Sequence, residues 1–172
     1  MKRLIYKFLI FLFNIAFNTV HISIIRKILL SLVGAKIGKN ITISGFCWFD
    51  FPWRLKIGDN CYITSSYFDC RGAEIKIGDN SDISENTKIF TLSHNIYSKK
   101  FETISNKVII HEKVWIAANC VVLPGSILNN GCVISSNSVV KGKVEKFSLY
   151  SGNYAKKIKK LPSYRAKLVR SL

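Results

Sequence analysis

The chain has 172 residues, of which 48% are hydrophobic and three are proline; this excludes a disordered, low-complexity or collagen-like protein and fits one domain with its own core. Lys and Arg total 26 against 10 acidic residues, a formal charge of +16 that points to nucleic acid, phosphorylated cofactors or an acidic membrane surface. Cys47, Cys61, Cys70, Cys120 and Cys132 contain no CxxC pair, so they read as buried thiols of a reducing, intracellular compartment rather than zinc ligands or a disulfide framework.

Residues 1–33 form the first unit, an apolar helical segment. Lys7, Asn14, Asn18 and His21 interrupt its apolar run, which is too short to span a bilayer, and no small-x-small cleavage site follows Phe17. Wound as a helix, Arg3, Lys7, Asn14, Asn18 and His21 fall on one narrow stripe and the remaining surface is apolar. Two readings fit this pattern. One is a helix lying in a membrane interface, in contact with anionic lipid at the inner face; the other is a helix covering the open end of the core or packing on a partner subunit.

Residues 34–150 carry a period of six. An aliphatic residue recurs at Ile110, Ile116, Val122, Leu128, Ile134 and Val140, and a slim residue follows four later at Val114, Cys120, Ser126, Cys132, Ser138 and Val144. Three after each aliphatic stand Lys113, Asn119, Gly125, Gly131, Asn137 and Lys143, mostly types that tolerate a left-handed backbone. Six is not a helical period. It predicts a triangular coil of short strands with tight corners, in which Ile110 stacks on Leu128, Ile116 on Ile134 and Val122 on Val140.

Earlier, Ile37-Gly-Lys-Asn40, Ile57-Gly-Asp-Asn60 and Ile77-Gly-Asp-Asn80 recur every 20 residues, so two extra residues per rung must bulge near Phe51-Pro52-Trp53 and Cys70-Arg71-Gly72. The rhythm fails between Ile89 and Ile110, which predicts an external loop over about 95–107. Residues 151–172 form a basic tail, expected to include a short helix.

These hexads, with Thr91-Leu-Ser-His94, Val114-Trp115-Ile116-Ala-Ala118, Leu123-Pro124-Gly125 and Gly152-Asn-Tyr-Ala-Lys156, resemble the hexapeptide-repeat acyltransferases over residues 35–160. The likeness is to the sugar O-acetyltransferase branch, with the galactoside, maltose and exopolysaccharide-modifying enzymes. It implies an all-β left-handed parallel β-helix; the hand comes from the family, the triangular solenoid from the period. It also implies a homotrimer that moves an acetyl group from acetyl-CoA to a saccharide hydroxyl, with no metal.

The same resemblance assigns roles. His94, where the loop leaves the coil, matches the family's catalytic histidine, and a near-neutral base is what removal of a hydroxyl proton requires. Asp69, on the rung beneath, is a candidate to orient the imidazole or hold a sugar hydroxyl, or it only caps a turn. Asn86 matches a sugar-contacting amide, yet it stands three after Ile83, the corner slot where Asn is expected for backbone reasons. Ala118 and Ser136 match positions whose backbone meets coenzyme A, and Trp115 flanks the reacting end. Lys141, Lys156 and Lys159 match cations on its phosphates, although Tyr154 replaces the family's proline. His111 reads as a surface residue. A serine acceptor, a zinc lyase like the γ-class carbonic anhydrases and a non-specific nucleic-acid binder are the alternatives. The first lacks the long helical domain of serine acetyltransferases, the second lacks three converging histidines, and the third lacks a recognition motif.

Overall fold

A computed structural model gives the structure of the chain and describes residues 2–163. Two helices, α1 (Lys2–Thr19) and α2 (Ser23–Leu32), precede a parallel β-solenoid of six rungs. The first three rungs are β1 (Lys36–Ile37), β2 (Thr42–Ser44) and β3 (Trp48–Asp50); β4 (Leu55–Ile57), β5 (Tyr62–Thr64) and β6 (Tyr67–Asp69); and β7 (Ile75–Ile77), β8 (Asp82–Ile83) and β9 (Lys88–Phe90). An antiparallel hairpin of β10 (Leu92–His94) and β11 (Thr103–Ser105) then leaves the coil. The fourth rung is β12 (Val108–Ile110), β13 (Trp115–Ile116) and β14 (Val121–Val122), and the fifth β15 (Ile127–Leu128), β16 (Val133–Ile134) and β17 (Val139–Val140). The last contains β18 (Lys143–Val144), β19 (Ser148–Gly152) and β20 (Ala155–Lys160).

The three faces are the sheets β1-β4-β7-β12-β15-β18, β2-β5-β8-β13-β16-β19-β20 and β3-β6-β9-β14-β17. They are called the first, second and third faces below. Register follows the period. Ile110 pairs with Leu128, Ile116 with Ile134 and Val122 with Val140, and across the hairpin Ile77 pairs with Ile110. Each inward aliphatic is buried, as are Val114, Cys120, Ser126, Cys132 and Ser138 near the corners. Stacking removes each rung's apolar face from water, which a lone rung cannot do.

The corners turn on positive φ at Asn40, Asn60, Asn80, Lys113, Asn119, Gly125, Gly131 and Asn137. Lys143 departs from this pattern. Gly142 (φ 84) takes the corner and Lys143 begins β18, because the next inward residue, Val144 paired with Leu128, follows Val140 by four positions instead of six. The extra residues of the early rungs form a 3-10 turn at Pro52–Arg54 and an irregular corner at residues 70–74.

One other boundary is corrected: the external loop is a hairpin starting at Leu92, with His94 paired to Thr103. In the basic tail, residues 155–160 form a strand that extends the second face antiparallel to β19, and residues 164–172, over which the expected short helix would also fall, lie outside the described residues.

The bottom of a solenoid exposes unpaired backbone, and the helices cover it. The Asn14 amide donates to the Phe49 carbonyl (2.9 Å) and accepts from the Phe49 N–H (2.8 Å), and Asn18 does the same for Cys47 (2.8 and 3.0 Å). Ser23 Oγ donates to the Ile41 carbonyl and accepts from the Ile43 N–H. The buried Arg26 guanidinium donates to the Val20 and Gly45 carbonyls. At the end of α2, Gly34 (φ 92) donates to Ser31 and Ala35 donates to Leu30, a Schellman closure that turns the chain into β1.

All five cysteines are buried and none is in a disulfide. Burial pushes the Cys61 thiol from 9.0 up to about 11 and raises Cys47, Cys70 and Cys120 as well. The unfolded chain therefore releases these protons at lower pH than the folded one. The resulting stability is fully present below the unfolded pKa and is lost as pH rises through the folded values. We expect the urea midpoint to fall between pH 9 and 11, and native protein at pH 8 to react with a thiol reagent at well under one equivalent.

Candidate active site

His94 lies at the end of β10, exposed, on a hairpin whose base is fixed to the coil. Buried Thr91 donates its hydroxyl to the Asp69 carbonyl (2.6 Å) and accepts from the Gly72 and Ala73 N–H groups (3.1 and 3.2 Å). Gly72 is required there, since an added Cβ would meet Leu92 Cδ2 and Ser105 Cβ at 2.7 Å. Gly72→Ala is expected to displace the hairpin, and His94 with it, and to lower Tm by a few degrees, since overpacking costs about 1–3 kcal/mol. Hydrogen exchange over residues 92–105 and melting measurements check this.

The imidazole is held on two sides. Its Nδ1 is 3.0 Å from the Phe101 carbonyl, and its ring stacks on that of Phe101 with centroids 4.6 Å apart and planes 5° apart. A carbonyl only accepts, so Nδ1 is the donor of this bond, and in the neutral ring that leaves the lone pair on Nε2. That is the tautomer a proton acceptor needs. Phe101 adopts φ 46 on the return of the hairpin, which aims its carbonyl back at the ring.

Asp69 is committed elsewhere. Its carboxylate takes both arms of Arg71 at 2.8 Å and the Arg71 N–H at 3.0 Å, with Asp50 3.5 Å from the same guanidinium. This fork holds the irregular corner on which the hairpin stands, so Asp69 acts on the hairpin's footing and not on the imidazole.

Asn86, Ala118 and Ser136 share the corner between the second and third faces. Asn86 has φ 57, as its corner position demands. The Ala118 carbonyl accepts from Asn137, and Ser136 is exposed one rung above Ala118. On the second face, half-buried Trp115 donates its indole N–H to Ser84 Oγ (3.1 Å). At the top of the column the Gly152 N–H bonds Ser138 Oγ, and Lys141 lies 5.5 Å above the Tyr154 ring. Lys156 and Lys159 are exposed on β20, pairing with Ser151 and Leu149, while Lys157 is tied to Glu145.

A cavity of about 710 Å³ opens beside Asn86, lined by Phe46, Trp48, Tyr67, Phe90, Lys88 and Ser65. Trp48 and Tyr67 are register partners, and the Tyr67 hydroxyl donates to Asp50 (2.6 Å). Burial and that carboxylate keep the phenol protonated well above its ordinary range. Neither this trough nor the Thr91, Gly72 and Phe101 supports stood out in the sequence reading. The visible signal was aromatic residues at outward positions of successive rungs. His111 is exposed, and among the described residues no three His, Cys, Asp or Glu side chains gather as a metal site.

Residues 107–142 match the family described as bacterial transferase hexapeptide (six repeats). Over 115 residues the chain is 36% identical to a protein of Escherichia coli K12 assigned as the colanic acid biosynthesis acetyltransferase WcaF, covering 67% of this chain and 63% of that one. The match thus spans less than two thirds of that relative's length. An acetyltransferase of Staphylococcus aureus Mu50 is 31% identical over 140 residues, 79% of this chain and 70% of its own. The hexapeptide-repeat acetyltransferase of Vibrio cholerae, solved with acetyl-CoA, superposes with a TM-score of 0.80 at 25% identity, covering 90% of this chain and 86% of that one. A coil of the opposite hand would not superpose, so the solenoid has the left-handed sense of that fold.

Proposed function

The chain belongs to the hexapeptide-repeat acetyltransferases, and from that we propose that it carries an acetyl group from acetyl-CoA to a saccharide hydroxyl, with His94 as general base. The observation that supports this reading is an exposed imidazole held at Nδ1 by the Phe101 carbonyl and stacked on the Phe101 ring. In the reaction Nε2 takes the hydroxyl proton while the oxygen attacks the thioester carbonyl carbon. The C–S bond then breaks, and the departing thiolate takes the proton back from the imidazolium. The Phe101 carbonyl keeps its bond to Nδ1–H throughout and steadies the cation.

The Ala118–Ser136 column suits an extended pantetheine arm, because small side chains leave backbone groups accessible there. The lysines at its top suit phosphates. The aromatic trough suits an acceptor ring, whose C–H faces pack on Trp48, Tyr67 and Phe90. The colanic acid relative favours a surface-polysaccharide or lipid-linked precursor as acceptor. A homotrimer would cover Ile96 and Tyr97, exposed near the hairpin tip, and would set one chain's hairpin against its neighbour. The working place is the cytoplasm, at the inner face of the membrane.

The test is acetyl-ester formation on a panel of saccharides, read by mass spectrometry alongside thiol release from acetyl-CoA. Absence of ester on every saccharide, with ester on serine instead, defeats the reading. Replacing Lys141, Lys156 and Lys159 together by Ala should raise the KM for acetyl-CoA about 10-fold or more with kcat little changed, as loss of uniform binding does. Light scattering should return three times the 19.5 kDa chain mass.

A further inference from the structure

The two helices are inverted amphipaths. The side chains that face protein include the amides, hydroxyl and guanidinium that bond the first rung: Asn14, Asn18, Ser23 and Arg26. The opposite face is apolar and open. Phe17 and Leu30, on the inward side, are 0% exposed, whereas Phe8 is 60% and Ile24 67% exposed. Among the described residues, thirteen of the twenty-one exposed large apolar side chains lie between residues 4 and 32, among them Leu4, Phe8, Leu12, Ile15, Ile24 and Ile28. So many exposed apolar side chains on two adjoining helices mark a docking face.

Charge identifies the occupant. Residues 1–49 hold seven Lys or Arg and no Asp or Glu. Lys7 and Lys27 are on the helices, Lys27 half-buried, and Lys36 and Lys39 are exposed on the first rung beside them. A second copy would bring the same cations against these, whereas an anionic surface neutralises them. Neither helix is long and apolar enough to cross a membrane. An apolar face opposed by a cationic side, on helices too short to span, is the pattern of a segment lying in the headgroup region.

We infer that the outward face of α1 and α2 is a docking surface for an anionic lipid bilayer, which seats the solenoid end-on with its rungs rising from the membrane. This deepens the inner-face placement and rests on that reading, but not on the acetyl-transfer chemistry. With a rung spacing of about 4.8 Å and a helix layer about 10 Å thick, the His94 hairpin stands roughly 20 Å above the lipid.

The full chain is sedimented with vesicles of phosphatidylcholine, pure or with about three parts in ten phosphatidylglycerol, at low salt and at about 0.5 M salt. We expect at least about tenfold more protein bound to the anionic vesicles than to the neutral ones, with the excess lost at high salt. Phe8→Asp and Ile28→Asp should each abolish binding while leaving the melting curve and acetyl transfer to a water-soluble saccharide unchanged. Lys7→Glu with Lys27→Glu should remove the anionic preference without touching the apolar face. Wild-type protein that stays in the supernatant overturns the inference, as do variants that still bind. A wild type that ignores vesicles while Phe8→Asp changes the mass by light scattering assigns the face to a second copy instead. Failure of acetyl transfer with vesicle binding intact counts against the catalytic reading alone.

Discussion

Replacing His94 by Ala should lower kcat for acetyl transfer about 10²–10⁴-fold, the range a positioned base contributes. The side chain is exposed and its bonds stay within the hairpin, so the melting temperature should not move. The KM for acetyl-CoA should stay within about twofold, because the donor's proposed track is the corner column and not the imidazole. A variant that transfers acetyl at the wild-type rate removes His94 from the chemistry. Phe101→Gly divides the two supports of the ring. Glycine accepts the φ of 46 and keeps the carbonyl that fixes the tautomer, while the stacked ring is lost. We expect about a tenfold fall in kcat there, smaller than for His94→Ala, since only orientation is loosened. An equal fall in both variants would give the ring a larger part than the proton.

The rungs were legible because two independent signals share one period. An inward aliphatic and a left-handed corner residue both recur every six positions, so strand and turn agree at each step. Ile110 on Leu128 and Ile116 on Ile134 follow directly. The signal fails where chain ends meet the coil. Asn14 and Asn18 sit on a stripe that reads as a surface, because ordinary amphipathic helices bury their apolar side. The end of a solenoid reverses this by presenting bare N–H and C=O groups that only polar side chains can satisfy. The basic run at 155–160 likewise becomes a strand because β19 offers it an edge.

In the candidate site, position was legible and direction was not. His94 stands where the period breaks, which is visible in the sequence. That a backbone carbonyl orients it, and that Asp69 turns to Arg71, depends on the shape of an irregular corner with no repeat to read it from.

Asn14→Leu should be the most destabilising substitution in the cap. Leucine has the same branched outline as asparagine and is somewhat larger, so no cavity opens. What changes is that the Phe49 N–H and C=O, buried under α1, lose both partners at once. An unsatisfied buried group costs about 1–3 kcal/mol, which gives about 2–6 kcal/mol for the pair. For a chain of this length each kcal/mol is worth about 2–4 °C, so Tm should fall by roughly 5–20 °C. Asn14→Asp is the informative companion. It keeps an acceptor for the Phe49 N–H but sets a carboxylate against the Phe49 carbonyl, so it should be no better than leucine at neutral pH and should recover as acid protonates it. Asn18→Leu acts on Cys47 from a half-buried position, where water can substitute, and should cost less. Ile15→Asn, one residue from Asn14 but facing outward, should leave Tm within about 2 °C, as exposed substitutions do. If Asn14→Leu melts with the wild type while Ile15→Asn does not, the polar face of α1 points away from the solenoid, and the inversion of the cap is refuted along with every inference drawn from it.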